Sequence, residues 1–124
     1  MATAAEWIAK AEQDRSTAVG LRRRKKPVHD SVCFHCQQCA EKYLKAVLEQ
    51  NRQPVTKVHD LVKLVRECAR VDPALMKLLA DARQLTPFGV MFRYPGRDAV
   101  EQDAIDSVQS MRRIRMVARR ALGI

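Results

Sequence analysis

Cys33-Phe34-His35-Cys36-Gln37-Gln38-Cys39 contains two overlapping Cys-x-x-Cys spacings with a histidine inside the first. Thiolates and an imidazole at such spacing are the ligand types of a zinc site. A second kind of chemistry resides in the bases. They cluster at Arg22-Arg23-Arg24-Lys25-Lys26 and again at Arg112, Arg113, Arg115, Arg119 and Arg120, and 23 Lys+Arg against 14 Asp+Glu leave a net charge of +9. That excess attracts polyanions: RNA, nucleotides or an acidic protein. The plainer alternative is solvated charge, because cations are favourable near helix C-termini in any case.

Whether these groups converge depends on the elements that carry them. Val28 to Asn51 reads as one long amphipathic helix after Pro27, with Asp30 or Ser31 able to cap its first turn. At 100° per residue, Val32, Cys36, Cys39, Ala40, Tyr43 and Val47 share an apolar arc, while Phe34, Gln38, Glu41, Lys42 and Lys45 lie roughly opposite. On a continuous helix Cys33, Cys36 and Cys39 spread over about 120° and about 9 Å of axis, so they do not converge on a metal. Cys68 is the one other cysteine and has no partner spacing. The thiols therefore read as small core residues, with neither metal nor disulfide expected.

Around this helix the sequence predicts a helix from Thr3 to about Leu21, with Ala4, Trp7, Ile8, Ala11, Ala18 and Leu21 on a stripe. A third runs from about His59 to Val71, broken at Asp72-Pro73 and continued from Ala74 to Leu85. The stretch from Thr86 through Gly96 reads as a long loop, and a last helix spans about Asp98 to Leu122. Arg115 falls on the apolar stripe of that last helix, either snorkelling outward or meeting an anion or an acidic partner in a groove. With 5% aromatic residues, Ala, Leu and Val must fill the interior. The fold class expected is all-α: one domain, residues 1–124, an antiparallel up-and-down four- to five-helix bundle. No secretory signal pattern and no apolar run of about 18 residues is present, so a soluble, cytoplasmic protein is expected.

The string Cys33-Phe34-His35-Cys36-Gln37-Gln38-Cys39-Ala40-Glu41-Lys42-x-Leu44-Lys45-Ala46 resembles the signature helix of the HEPN family, the higher eukaryote and prokaryote nucleotide-binding domain. That helix typically reads C-F-H-A-Q-Q-A-A-E-K-x-L-K-A. Trp7, Ala11 and Asp14, then His59-Asp60-Leu61, then Arg93-Tyr94-Pro95 follow in the family's order. The resemblance implies a helical bundle, commonly a homodimer, often encoded beside a minimal nucleotidyltransferase and often part of toxin–antitoxin or defence systems. Several branches are metal-independent ribonucleases with an Arg-x(4–6)-His motif; others bind nucleotides or act as partners.

Arg24 and His29 satisfy that motif formally, as do Arg52 and His59, but with 15 Arg in the chain about one such pair is expected by chance. Both pairs cross a helix boundary, and the last helix has no histidine. The expected function is therefore a binding or regulatory domain that engages a nucleotide, RNA or a nucleotidyltransferase partner through a basic groove. Lys42, Lys45, His59, Arg93 and Tyr94 are the candidate phosphate and ligand contacts. Phe34, Gln38 and Glu41 are candidate interface residues. Arg24, His29 and His59 remain candidates for catalysis under the ribonuclease alternative, and a purely dimeric interaction module is the third reading. No cofactor and no membrane association are expected.

Overall fold

The computed structural model describes residues 2–91 and 95–124. Among the described residues five α-helices form the bundle: α1 Ala4–Arg22, α2 His29–Gln50, α3 Leu61–Ala69, α4 Leu79–Leu85 and α5 Glu101–Ala121. No strand occurs among the described residues.

Helix starts are set by short acceptors. Thr3 accepts the Glu6 N–H at 3.2 Å, and Asp60 accepts the Val62 N–H at 2.9 Å. These side chains satisfy donors that the first turn leaves without an intrahelical partner. The start of α2 differs from expectation. Asp30 lies inside the first turn, so it does not cap; its Oδ1 accepts the Ala99 N–H at 2.6 Å and ties the start of α2 to the approach of α5. The stretch expected to be helical from Ala74 is a 3₁₀ helix over Pro73–Leu78, with Asp72 accepting the Ala74 N–H at 3.1 Å; α-geometry resumes only at Leu79. Thr86–Gly89, expected to be loop, is a second 3₁₀ turn that buries Phe88.

The bundle is built on α2. Side-chain bonds of α1 to α2 join Asp14 to His35 and Lys42, and Glu12 to Tyr43, which fixes an antiparallel pair. Helix α5 runs in the direction of α2, bonded to it near its start through Asp30 and near its end through Arg119 and Tyr43. The link 51–60 climbs back along α2, so α3 starts beside Gln37, whose amide donates to the His59 carbonyl. Helix α4 then packs on α5.

This central position explains why α2 is buried nearly all round. Cys33, Cys36, Cys39, Ala40, Tyr43, Leu44, Ala46 and Val47 are fully enclosed. So are parts of the face expected to be polar and open: Gln37 is 0% exposed, and Glu41 and Lys45 are each 4% exposed. The wheel separated apolar from polar correctly. It did not show that α1, the 51–60 link and α3 cover the polar side as well.

Candidate functional site

On the α3 side of α2, Glu41 collects three donors. Lys45 Nζ stands 3.2 Å from Oε2, while His59 Nδ1 and the Gln37 amide reach Oε1 at 2.9 and 3.3 Å. A carboxylate accepts only, so His59 carries its proton on Nδ1 and presents Nε2 outward. The His59 side chain is 73% exposed while the Glu41 side chain is 5% exposed, so a buried anion orients a solvent-facing imidazole. Gln38 donates to the Gln37 Oε1 at 2.7 Å, and a Cβ added at Gly89 would stand 3.3 Å from Gln37 Cδ. Gly89 thus leaves the room that Gln37 occupies. Helix α3 is capped by Asp60, not by His59, which leaves the imidazole available for Glu41.

Lys45 also faces α1. Its Nζ lies 5.5 Å from the centroid of the Trp7 ring, within cation–π range. Both side chains line a cleft of about 670 Å³, together with Arg52, Lys57, Glu49 and the segment Gln53-Pro54-Val55-Thr56. Among the described residues three cations face one carboxylate there. The turn that carries Arg52 holds it at φ 56°, in the left-handed region, just beyond the end of α2.

Two further networks lie along α1. Asp14, 8% exposed, accepts from His35 Nδ1 at 2.8 Å and from Lys42 Nζ. Glu12 takes a bidentate fork from Arg115, at 2.8 and 2.9 Å, and the Tyr43 hydroxyl, which in turn accepts from Arg119 at 3.1 Å. The Arg115 fork, helped by the Tyr43 bond and opposed by burial, holds the Glu12 carboxyl down to about 2. The same bond raises Arg115 above its ordinary value. Arg115 therefore meets an acidic partner in a groove, one of the two outcomes the sequence left open.

Of the residues expected at the site, Lys45, His59 and Glu41 are brought together, and Lys42 is directed to Asp14 instead. Arg93 and Tyr94 lie outside the described residues. Phe34 is half-buried, edge-on to His35 with ring centroids 5.3 Å apart. Gln38 is half-buried, and Glu41 is too enclosed to present an interface by itself. Arg24 is exposed in the turn after α1; His29 opens α2 with a buried Nδ1 that has no partner among the described residues. Trp7 and Lys57 were not expected in the cleft. Asp14 was legible in principle, since it falls between Ala11 and Ala18 on the buried stripe of α1.

All four cysteines are reduced and buried. Burial pushes the thiols up, Cys33 to about 11 and Cys39 and Cys68 to about 12. No group of three or more His, Cys, Asp or Glu among the described residues is arranged to hold a metal ion, and no described helix is long and apolar enough to cross a membrane.

The sequence matches the family model described as HEPN domain over residues 4–121. Among solved structures, TT1696 from Thermus thermophilus superposes with a TM-score of 0.84 at 21% identity, covering 98% of this chain and 99% of that one. ST0689, described as an archaeal HEPN homologue, gives a TM-score of 0.74 at 24% identity, covering 96% and 97%. At such identities the likeness concerns the fold. No curated protein matches the sequence.

Proposed function

Because the chain belongs to the HEPN domain family, we propose that it is a binding and regulatory domain that takes a nucleotide in the cleft between the N-terminal part of α1, the C-terminal end of α2 and the 51–57 segment. The observation that carries this reading is the cleft itself. Its volume of about 670 Å³ falls in the ~300–1,000 Å³ range of small-molecule sites. Arg52 and Lys57 supply phosphate contacts, Arg bidentately, and the Trp7 ring offers an apolar wall for a base. Lys45, anchored by Glu41, adds a fixed positive charge at the inner end. Isothermal titration with ATP and GTP in EDTA tests it. Binding that Arg52→Ala and Lys57→Ala each weaken supports the cleft; binding unchanged by both removes it. Homodimerisation, a nucleotidyltransferase partner and a place in a toxin–antitoxin module rest on family resemblance alone.

A second reading has its own observation, the His59–Glu41 pair. A buried carboxylate that orients an exposed imidazole is the arrangement of a general base, and Arg52 precedes His59 by six intervening residues. Under this reading the protein cleaves RNA without metal. Nε2 of His59 takes the 2′-hydroxyl proton, and the 2′-oxygen bonds to the adjacent phosphorus while a cation holds the phosphate. The P–O5′ bond breaks, the 5′-oxygen taking a proton from water and a 2′,3′-cyclic phosphate remaining. RNA incubated with protein in EDTA decides it: cleavage lost in His59→Ala supports the enzyme, and cleavage that survives that change excludes His59.

A further inference from the structure

The two oxygens of the Glu41 carboxylate serve two different places. Oε2 holds Lys45 Nζ at 3.2 Å, and Lys45 lines the cleft. Oε1 holds Nδ1 of His59 at 2.9 Å, and His59 is solvent-exposed and stands outside the cleft lining. The carboxylate between them is enclosed, so little water screens one side from the other. The imidazole is also braced from behind. The buried Gln37 amide donates at 3.3 Å both to Glu41 Oε1 and to the His59 carbonyl, which keeps the ring against that oxygen. The Lys45 ammonium has three N–H donors; one meets Glu41, and the Trp7 ring faces the ammonium at 5.5 Å. An anion at the inner wall of the cleft therefore competes with Glu41 for that ammonium.

We propose that His59 acts on the cleft from outside it, as a positioning residue: its protonation, passed through Glu41, releases Lys45 to the bound anion and tightens binding. The inference rests on the nucleotide reading of the cleft and is independent of the ribonuclease one. The added proton goes to Nε2, which points outward, so nothing has to rearrange to receive it. A protonated ring sets a second full positive charge against the Glu41 carboxylate. Glu41 then holds Lys45 less tightly, and more of the ammonium's charge is turned to the ligand. Affinity is thus highest at low pH and falls as pH rises through the histidine range. Other charges near the ring lie off this path. Asp60, next in sequence, is committed to the N–H groups of Val62 and Lys63. Lys63 belongs to the first turn of α3 and Lys57 to the cleft rim, while the Thr86–Gly89 turn contributes an uncharged hydroxyl, bonded to the Leu61 N–H.

The test is isothermal titration with ATP in EDTA at about pH 6 and about pH 8, on either side of the histidine range. The protonation of ATP itself is common to every variant, so the readout is the ratio of the two affinities, compared between variants. His59→Asn keeps an amide donor for Oε1 and carries no charge at either pH; the side chain is exposed, so the change leaves the core untouched. The wild-type ratio is expected to exceed the His59→Asn ratio by roughly fivefold, the lower end of couplings between sites. In a Glu41→Gln background, His59→Asn is expected to leave the ratio unchanged, because the relay is gone while Lys57, Asp60 and Lys63 remain. Equal ratios in wild type and His59→Asn overturn the inference and leave the cleft reading standing. A His59-dependent ratio that survives in Glu41→Gln also overturns it, since the imidazole then acts without the carboxylate. Absence of ATP binding at both pH values removes the cleft reading, and the inference falls with it.

Discussion

Replacing Lys45 by methionine tests whether the enclosed Glu41 network is a coupled unit. The two charges stand 3.2 Å apart with side chains 5–6% exposed. Removing one member of a buried ion pair costs roughly 3–5 kcal/mol, because the other charge is left uncompensated. Glu41 keeps His59 and Gln37 in this case, so Lys45→Met is expected at the lower end, about 3 kcal/mol. For a domain of 124 residues that corresponds to a Tm lower by about 12 °C. Glu41→Gln leaves an enclosed ammonium that keeps the Trp7 ring and the glutamine carbonyl as partners, and is expected to cost about 1–2 kcal/mol. In Glu41→Gln/Lys45→Met no charge is stranded, the glutamine still meets His59, and the methionine packs on the indole. The double variant should lie within about 1 kcal/mol of wild type, giving a coupling energy of at least about 3 kcal/mol. Urea unfolding followed by circular dichroism and by the single tryptophan, which sits on this network, measures all three. Single effects that simply add, within about 0.5 kcal/mol, would refute the reasoning.

The four cysteines are expected to be unreactive toward a disulfide reagent in the native protein at neutral pH and to react together on unfolding, because burial suppresses the thiolate; a fast-reacting thiol in the folded state would contradict the packing of α2. Glu12 has a folded value near 2, below its ordinary 4.5, so its contribution to stability is complete above about pH 4.5 and is lost as pH falls through 2. Its side chain is 33% exposed, and after allowance for solvent screening the contribution is about 1–2 kcal/mol. Glu12→Gln should therefore flatten the acid limb of a stability–pH curve between about pH 5 and 2; a limb of unchanged steepness would place the anion elsewhere.

The fold was legible because its signals are local. Pro27, the apolar arc of α2 and the Asp72-Pro73 break locate the helices within a few residues, and the signature string on α2 identified the bundle. The site was legible only in part, because pairing across helices has no periodicity to read. Lys42 and Lys45 are three residues apart, yet one goes to Asp14 on α1 and the other stays on Glu41. The angular position of each was correct; the level of α1 against α2 decided the partner. Arg115 shows the same limit from the other side, since an arginine on an apolar stripe signalled an acidic partner but not that Glu12, 103 positions away, would be the one. The cysteine spacing was the strongest chemical signal and carried the least chemistry, because a continuous helix turns such a cluster into core.

The bond from Asp30 to the Ala99 N–H also bears on the chain entropy that the fold must overcome. It joins positions 69 residues apart, whereas α1 and α2 are joined by a link of six residues and share the largest helix contact. Closing a loop of that length costs about 4 kcal/mol in chain entropy before any contact is gained. The short α1–α2 link is therefore the cheaper closure, and Glu12 and Tyr43 gain Arg115 and Arg119 as partners only with α5 in place. The last helix is thus not only the outer wall of the bundle: it supplies the two arginines that hold the Glu12–Tyr43 pair.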